Sequence, residues 1–252
     1  MDWRLIPYLQ TDGITQMAID QWLFNQCHQG NHPPTLRFYT WTPAAISLGR
    51  NQLTWPQHWQ DLAWQGRPVD LVRRPTGGRA VLHEGDLTYG IILSHPHRNR
   101  RQAYKDLCQF LIQGWRELGY NLRFGEPRRN YTHQANCFAT ATNADLVLEN
   151  GYKLIGSAQA WQDQTVLQHG SMRINPSQEL TEQVFRQAFA EHDPTLHPIP
   201  EKAIISALIA AAKTCFEATF TYEPLSPKEL EAIEQVKSMQ ADTKVGNNLA
   251  RN

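Results

Sequence analysis

Strand-like and helix-like patterns do not alternate strictly along this chain, and that order constrains its fold more than any other feature. An apolar rhythm at Met17, Ile19, Leu23, Phe24 and Cys27 predicts a helix over Thr15–His28, with Thr15 as its cap. The block PTLRFYTWTPAAISLGRNQ is rich in aromatic and β-branched residues and broken by Pro43 and Gly49, which predicts two strands joined by a turn. Val69–Val72 and Leu87–Leu93 predict strands that enter and leave a Gly-Gly loop. Ala103–Gly119 predicts an amphipathic helix with a glycine stop. Leu146–Leu148 and Lys153–Ile155 flank Asn150-Gly151, which predicts a tight hairpin because both residues tolerate positive φ. Leu180–Phe189, Ala203–Phe220 and Pro227–Val236 predict three further helices. The expected class is therefore α+β, a mostly antiparallel sheet packed with helices, in preference to a doubly wound fold.

With 252 residues the chain suffices for one large domain, placed at residues 1–236. The polar stretch 237–252, ending in VGNNLARN, is expected to be a disordered tail. Basic and acidic residues balance at 24 each, so no nucleic-acid partner is expected, because such partners usually demand a basic surplus. The first residues, MDWRLIPYLQ, hold no apolar signal core, and no apolar run approaches the roughly 20 residues of a membrane helix. Cys27, Cys108, Cys137 and Cys215 are widely spaced, without a Cys-x-x-Cys pair. A cytoplasmic protein with free thiols and no membrane partner is the simplest expectation.

Two stretches could carry chemistry. In RRPTGGRAVLHEGDLTYG (Arg73–Gly90), Gly77 and Gly78 let the backbone approach a ligand and expose N–H groups suited to an oxyanion or carbonyl. Arg73, Arg74 and Arg79 add positive charge there, and His83 is a candidate proton carrier. A plain polar hairpin loop is the alternative. No Gly-Lys-Ser/Thr follows, so this is no P-loop, and Leu87 stands where a zinc-protease motif would need its second histidine.

The second stretch runs from Asn136 to Met172. Cys137 sits among small and polar residues, whereas Cys108 and Cys215 lie inside helical patterns and read as core. Thiols attack as thiolates, so a neighbouring cation matters, and Lys153 starts an otherwise apolar or small strand one hairpin away. Gly156, Ser157 and Ala158 would keep a groove beside it narrow but open. On the residues alone, a structural Cys137 and a solvated Lys153 remain the ordinary readings. His169 either lines a site or satisfies backbone groups. His95, His97, Arg98, Arg100 and Arg101 form a basic cluster, and no metal-ligand spacing is present, so no metal site is expected.

Taken together and in order, MAIDQ (Met17–Gln21), LRFYTW, ISLG, RRPTGGRAVLH, DLTYG, NCF (Asn136–Phe138), GYKLIGSAQ and LQHGS resemble the family of lipoate and biotin protein ligases and octanoyltransferases, over roughly residues 1–235. The resemblance implies the biotin/lipoate protein ligase-like catalytic domain, of class II synthetase type. Biotin ligases match least, lacking here their Gly-Arg-Gly-Arg-x-Gly loop. Lipoate ligases usually carry three consecutive glycines where this chain has Arg79 third, and commonly need an accessory domain. LipM-type octanoyltransferases are similar in Thr-Gly-Gly-Arg-Ala-Val-Leu-His, in length, and in a Cys-Phe pair before Gly-x-Lys-x-x-Gly.

What that resemblance implies is an acyltransferase of lipoate biosynthesis. Octanoyl would move from an acyl-carrier protein, through a thioester on Cys137 favoured by Lys153, to a lysine of a lipoyl domain or glycine-cleavage H-type protein. Arg73, Gly77, Gly78, Arg79, Ala80, His83, Gly156, Ser157, Ala158 and His169 would bind substrate. No cofactor would be required; ATP and Mg belong only to the ligase alternative. An amidotransferase moving octanoyl between carriers, and a catalytically silent carrier-binding subunit, are the other expectations. A monomer is expected, with the Arg98–Arg101 cluster and Arg128-Arg129 steering acidic carriers.

Overall fold

The structure, a computed structural model, describes residues 1–94, 99–126, 145–186, 193 and 195–249, with side chains as far as residue 239. Its elements run β1 (Asp2–Thr11), α1 (Gly13–His28), β2 (Thr35–Trp41), β3 (Ala45–Leu48), β4 (Ala63–Trp64), β5 (Arg67–Pro68), β6 (Asp70–Arg73), β7 (Val81–His83) and β8 (Asp86–Ser94). There follow α2 (Arg100–Glu117), β9 (Arg123–Phe124), β10 (Asp145–Val147), β11 (Lys153–Gln162), β12 (Thr165–Arg173), α3 (Gln178–Phe185), α4 (Glu201–Cys215), β13 (Thr219–Tyr222) and α5 (Pro227–Leu249).

The middle strands are buried on both faces: every residue of β2 is buried, and all of β8 up to Leu93. Successive side chains therefore feed two different cores. In β8, Tyr89, Ile91 and Leu93 point into a cluster with Leu107, Phe110 and Leu111 of α2 and Ile204 and Leu208 of α4. Ile92 points the other way, against Ile19, Leu23 and Phe24 of α1 and Ile233 of α5. This is the period-2 pleat of a sheet held between two helical layers. The sheet order is β13-β1-β2-β8-β12-β11-β10-β9. Five of its seven pairings are antiparallel, and the two parallel ones, β1 with β2 and with β13, lie at one edge. The α+β class with a mostly antiparallel sheet is therefore the observed one. A second sheet, β6-β3-β7, packs beside it around Ile46, Leu48, Trp59 and Val69.

Several local expectations are corrected. The cap of α1 is Asp12, whose carboxylate accepts from the Thr15 N–H at 2.9 Å; Thr15 sits inside the first turn and donates its hydroxyl to the same carboxylate. β2 and β3 are the two strands expected there, but they do not pair with each other: β3 joins the smaller sheet beside β6 and β7. In the turn after β10 only Gly151 takes positive φ (87°); Asn150 works instead through its side chain, which accepts from the Tyr152 N–H. α3 stops at Phe185, with Arg186 left-handed, and residues 187–192 lie outside the described residues. The helix expected over Ala203–Phe220 ends at Cys215; Glu217 turns to positive φ, and the aromatic and β-branched TFTY pairs as β13 with β1. α5 continues past Val236 through the polar stretch to Leu249.

The last helix is tied back to the first strand by one ion pair. Arg4, 2% exposed, donates to both oxygens of Glu229 at 2.6 and 2.9 Å and to the Pro224 carbonyl. Burial works against charge on Glu229, but the Arg4 and Ser226 hydrogen bonds outweigh it and bring its carboxyl down to about 2. A depressed folded value contributes stability above the unfolded pKa, near 4.5, and loses it as pH falls from there toward 2. Glu229→Gln is expected to cost roughly 2–3 kcal/mol at pH 7 in urea unfolding, with the gap from the native chain narrowing below pH 4.5.

Candidate active site

The Gly-Gly loop between β6 and β7 owes its shape to a buried arginine. Arg74 donates to the carbonyls of Gly77 (2.8 Å), Arg79 (2.6 Å) and Ser47 (2.7 Å), so its guanidinium gathers the loop's acceptors on one side. Gly78 lies at φ 94°, where a Cβ would also meet Arg74 Nη2 at 2.8 Å, so glycine is required there. Arg50 N–H closes the other side on the Thr76 carbonyl.

Beneath this loop lies a cavity of about 280 Å³ between the two sheets. Gly77 and Gly78 form one rim, Gly156, Ser157, Ala158 and Gly170 the opposite wall, and Met17, Tyr39, Trp41 and Val81 the apolar lining. The wall is shallow because β11 and β12 place small residues opposite each other: Ser157 faces Gly170 and Gly156 faces Ser171. Tyr89 supports it from behind, donating to Ser157 Oγ at 2.8 Å.

Lys153 enters the cavity from the start of β11, 5% exposed. Its ammonium meets Asp145 of β10 at 2.8 Å, an ion pair with both side chains almost fully buried. The hairpin that joins the two strands makes the pairing possible, since a register shift sets Lys153 opposite Val147, two residues beyond the carboxylate.

Two hydroxyl–imidazole–carboxylate chains complete the polar walls. In the first, Thr76 Oγ1 is 2.6 Å from His169 Nε2, and His169 Nδ1 is 2.8 Å from Asp20. Burial penalises charge on Asp20, yet Arg37, His169 and Tyr39 together hold its carboxyl below the usual range. It therefore accepts, Nδ1 carries the proton, and Nε2 takes the Thr76 hydroxyl; burial pushes the imidazole itself below its ordinary value. His169 thus pins the loop rather than moving protons. In the second chain, Ser47 Oγ is 2.8 Å from His83 Nε2, and His83 Nδ1 is 2.8 Å from Asp86, with Trp41 stacked on the imidazole at 3.9 Å.

The cavity brings together Lys153, Gly77, Gly78, His83, Gly156, Ser157, Ala158 and His169 of the residues singled out from sequence. Three others lie elsewhere. Arg73 turns away and donates to the carbonyls of Gly49 and Gln52, fixing the neighbouring loop. Arg79 contributes its carbonyl to Arg74, not a side chain to the cavity. Ala80 is packed in the smaller core with Ile46 and Leu48. Cys137, Arg128, Arg129, His95, His97 and Arg98 lie outside the described residues. Of the other cysteines, Cys108 has its thiol pushed up to about 12 by burial; burial raises those of Cys27 and Cys215 too, and none lines the cavity.

Ser47, Asp86 and Asp145 escaped sequence reasoning. Asp86 sits three residues after His83, and that spacing was the available signal; Ser47 and Asp145 become neighbours of the site only through strand pairing.

A mixed sheet between helices, with a lysine and a Gly-Gly loop facing one apolar cavity, is the arrangement of a lipoyl-ligase-type catalytic domain. The family model for the lipoyl protein ligase A/B catalytic domain matches residues 12–204, and the chain belongs to that family. Among curated relatives, a protein of Carboxydothermus hydrogenoformans named octanoyltransferase LipM is 33% identical over 263 residues, covering 96% of this chain and 97% of its own. One of an Exiguobacterium species with the same name is 34% identical, covering 88% and 89%. In fold, the chain is similar to a bipartite lipoate protein ligase of Thermoplasma acidophilum, with TM-score 0.75, 20% identity, and 94% and 92% of the two chains covered.

Removing one partner of the Lys153–Asp145 pair takes from the other buried charge its ion-pair contact. Asp145→Ala is expected to cost about 3–5 kcal/mol in chemical unfolding, and Asp145→Ala combined with Lys153→Met less than either that cost or its sum with the lysine variant alone.

Proposed function

We infer that this chain is an octanoyltransferase of lipoate biosynthesis, moving octanoyl from an acyl-carrier protein to a lysine of a lipoyl-carrier protein. The observation that carries this reading is the cavity: an apolar, small-walled slot with one buried ammonium at its side suits a medium acyl chain ending in a reactive thioester. Full-length relatives named octanoyltransferase support it.

In the proposed mechanism the nucleophile is Cys137. The thiols of Cys27, Cys108 and Cys215 are all raised by burial, which makes them poor thiolates and favours the fourth. Lys153 favours its thiolate, the thiolate attacks the donor thioester, and octanoyl is held on sulfur while the carrier thiol leaves. The acceptor's amine then displaces Cys137 and forms an amide. Backbone N–H groups around Gly77 and Gly78 would receive the tetrahedral oxyanion. Thioester to amide runs downhill, so the reaction needs neither ATP nor a metal. The acceptor is a lipoyl domain or a glycine-cleavage H-type protein, and the enzyme acts in the cytoplasm as a monomer; the Arg98–Arg101 and Arg128-Arg129 charges would attract acidic carriers, an attraction that salt weakens.

Incubation with octanoyl-carrier protein in the absence of ATP is expected to leave a hydroxylamine-labile octanoyl adduct on Cys137 in peptide mass spectra. Lys153→Met should lower the acylation rate by about 10²-fold or more. ATP-dependent attachment of free lipoate, unaffected by Cys137→Ser, would identify a ligase instead.

A further inference from the structure

The second half of that reaction contains a proton problem that Cys137 and Lys153 do not solve. The acceptor lysine arrives as an ammonium, its ordinary pKa being near 10.4, and has no lone pair until a base relieves it. Lys153 is engaged with the Asp145 carboxylate at 2.8 Å in a buried ion pair. His169 has both nitrogens committed, and its hydroxyl partner Thr76 does not reach the cavity.

The Ser47–His83–Asp86 chain differs on each count. Ser47 and His83 line the cavity. A hydroxyl has one donor and two acceptor sites. Ser47 donates to His83 Nε2 and accepts from Arg74 Nη1 at 3.2 Å, which leaves one lone pair for an incoming N–H. Behind the ring, one oxygen of Asp86 receives His83 Nδ1 at 2.8 Å, Thr88 Oγ1 at 3.1 Å and Ser171 Oγ at 2.6 Å. With Thr88 and Ser171 both donating to that oxygen, Asp86 is set as the acceptor, which favours the tautomer with the proton on Nδ1 and the lone pair of Nε2 turned to Ser47. Trp41 stacks on the ring and is itself fixed by its N–H to Thr88. Among the described residues, the titratable and charged neighbours are Asp86, Arg74 and His169, with Glu84 one residue along, Asp20 beyond His169, Tyr39 and Tyr8 toward Asp86, and Lys153 and Asp145 in the same cavity wall.

We propose that Ser47 and His83, backed by Asp86, form a relay that takes the proton from the acceptor lysine during acyl transfer. The inference rests on the transferase reading. As the ammonium docks, one of its protons passes to Ser47 Oγ while the Ser47 proton moves to His83 Nε2, giving an imidazolium facing Asp86. The freed amine attacks the thioester carbon and the C–N bond forms. When the C–S bond breaks, the second nitrogen proton goes with the sulfur, restoring the Cys137 thiol. His83 then returns its proton through Ser47 to water. Amide, thiol and one released proton balance ammonium and thioester.

The test separates the half-reactions by single-turnover measurements on the full chain. Acylation is followed with octanoyl-carrier protein, then transfer with a lipoyl domain added in excess between pH 7 and 9. His83→Ala and Ser47→Ala are expected to slow transfer about 10²-fold at pH 7 and acylation far less. Variant transfer should climb about tenfold per pH unit as free amine appears, while the native rate stays flatter. Added imidazole should restore transfer to His83→Ala, and Ser47→Thr should keep most of the native rate. Should the alanine variants fold poorly, His83→Gln, which keeps a polar group between Ser47 and Asp86, must show the same steep profile. Equal slowing of both half-reactions with an unchanged pH profile would overturn the relay. So would an octanoyl ester on Ser47 in a Cys137→Ala background, which would make the serine a nucleophile. If the native chain forms no adduct on Cys137, the transferase reading itself fails; if it does and the variants keep the native profile, only the relay fails.

Discussion

The site depends on a carboxylate that ought not to be buried. Asp20, on the inner face of α1, is completely enclosed, and a lone ion there would be strongly disfavoured. It is retained because three donors converge on it: Arg37 at 2.9 Å and the Tyr39 hydroxyl at 2.9 Å, both from β2, and His169 at 2.8 Å from β12. Through His169 the same carboxylate reaches Thr76, so the loop above the cavity is referenced to the helix beneath it. Arg37 also spans to the Gln16 side chain one turn earlier on α1. Loss of any one donor would unbalance the rest, which makes this a coupled network.

Arg74 performs the complementary task from above. Two carbonyls of the loop, those of Gly77 and Arg79, are drawn onto one guanidinium, which also holds the Ser47 carbonyl of β3. Asp20 and Arg74, buried charges of opposite sign on elements far apart in sequence, thus brace the cavity from two sides. Such framing gives the cavity rigidity, because packed polar networks fix rotamers that aliphatic contacts alone leave adjustable.

How much of this was legible from residues alone depended on range. The Gly-Gly loop, Lys153 and the small run Gly156–Ala158 carry local chemical signatures, and all line the cavity. The apolar rhythm of α1 begins later than its first turn, so it does not point to Asp12 as the cap. β13 was absorbed into a helix because Ala210–Cys215 carries helical composition up to its edge, and only pairing with β1 rewards the strand. Arg73 and Arg74 are adjacent and chemically identical. Arg73 closes β6 and reaches the carbonyls of Gly49 and Gln52, whereas Arg74, the first residue past the strand, is the buried one that shapes the site. Asp145 and Ser47 have no local signature at all; register puts them beside Lys153 and His83.

Arg79 bears on the choice between transfer and ATP-driven ligation. It stands where related ligases usually carry a third glycine, yet its backbone is not in the positive-φ region, whereas Gly78 is at 94°. Conformation therefore demands glycine at 78 and not at 79. A glycine at 79 would serve only where something must come close to the backbone, as a nucleotide phosphate does. The Arg79 carbonyl is instead held by Arg74, in the set of contacts that shapes a loop over a thioester-sized slot. A loop that keeps the conformational glycine and gives up the close-approach one is suited to stabilising a small oxyanion, and less suited to wrapping a triphosphate.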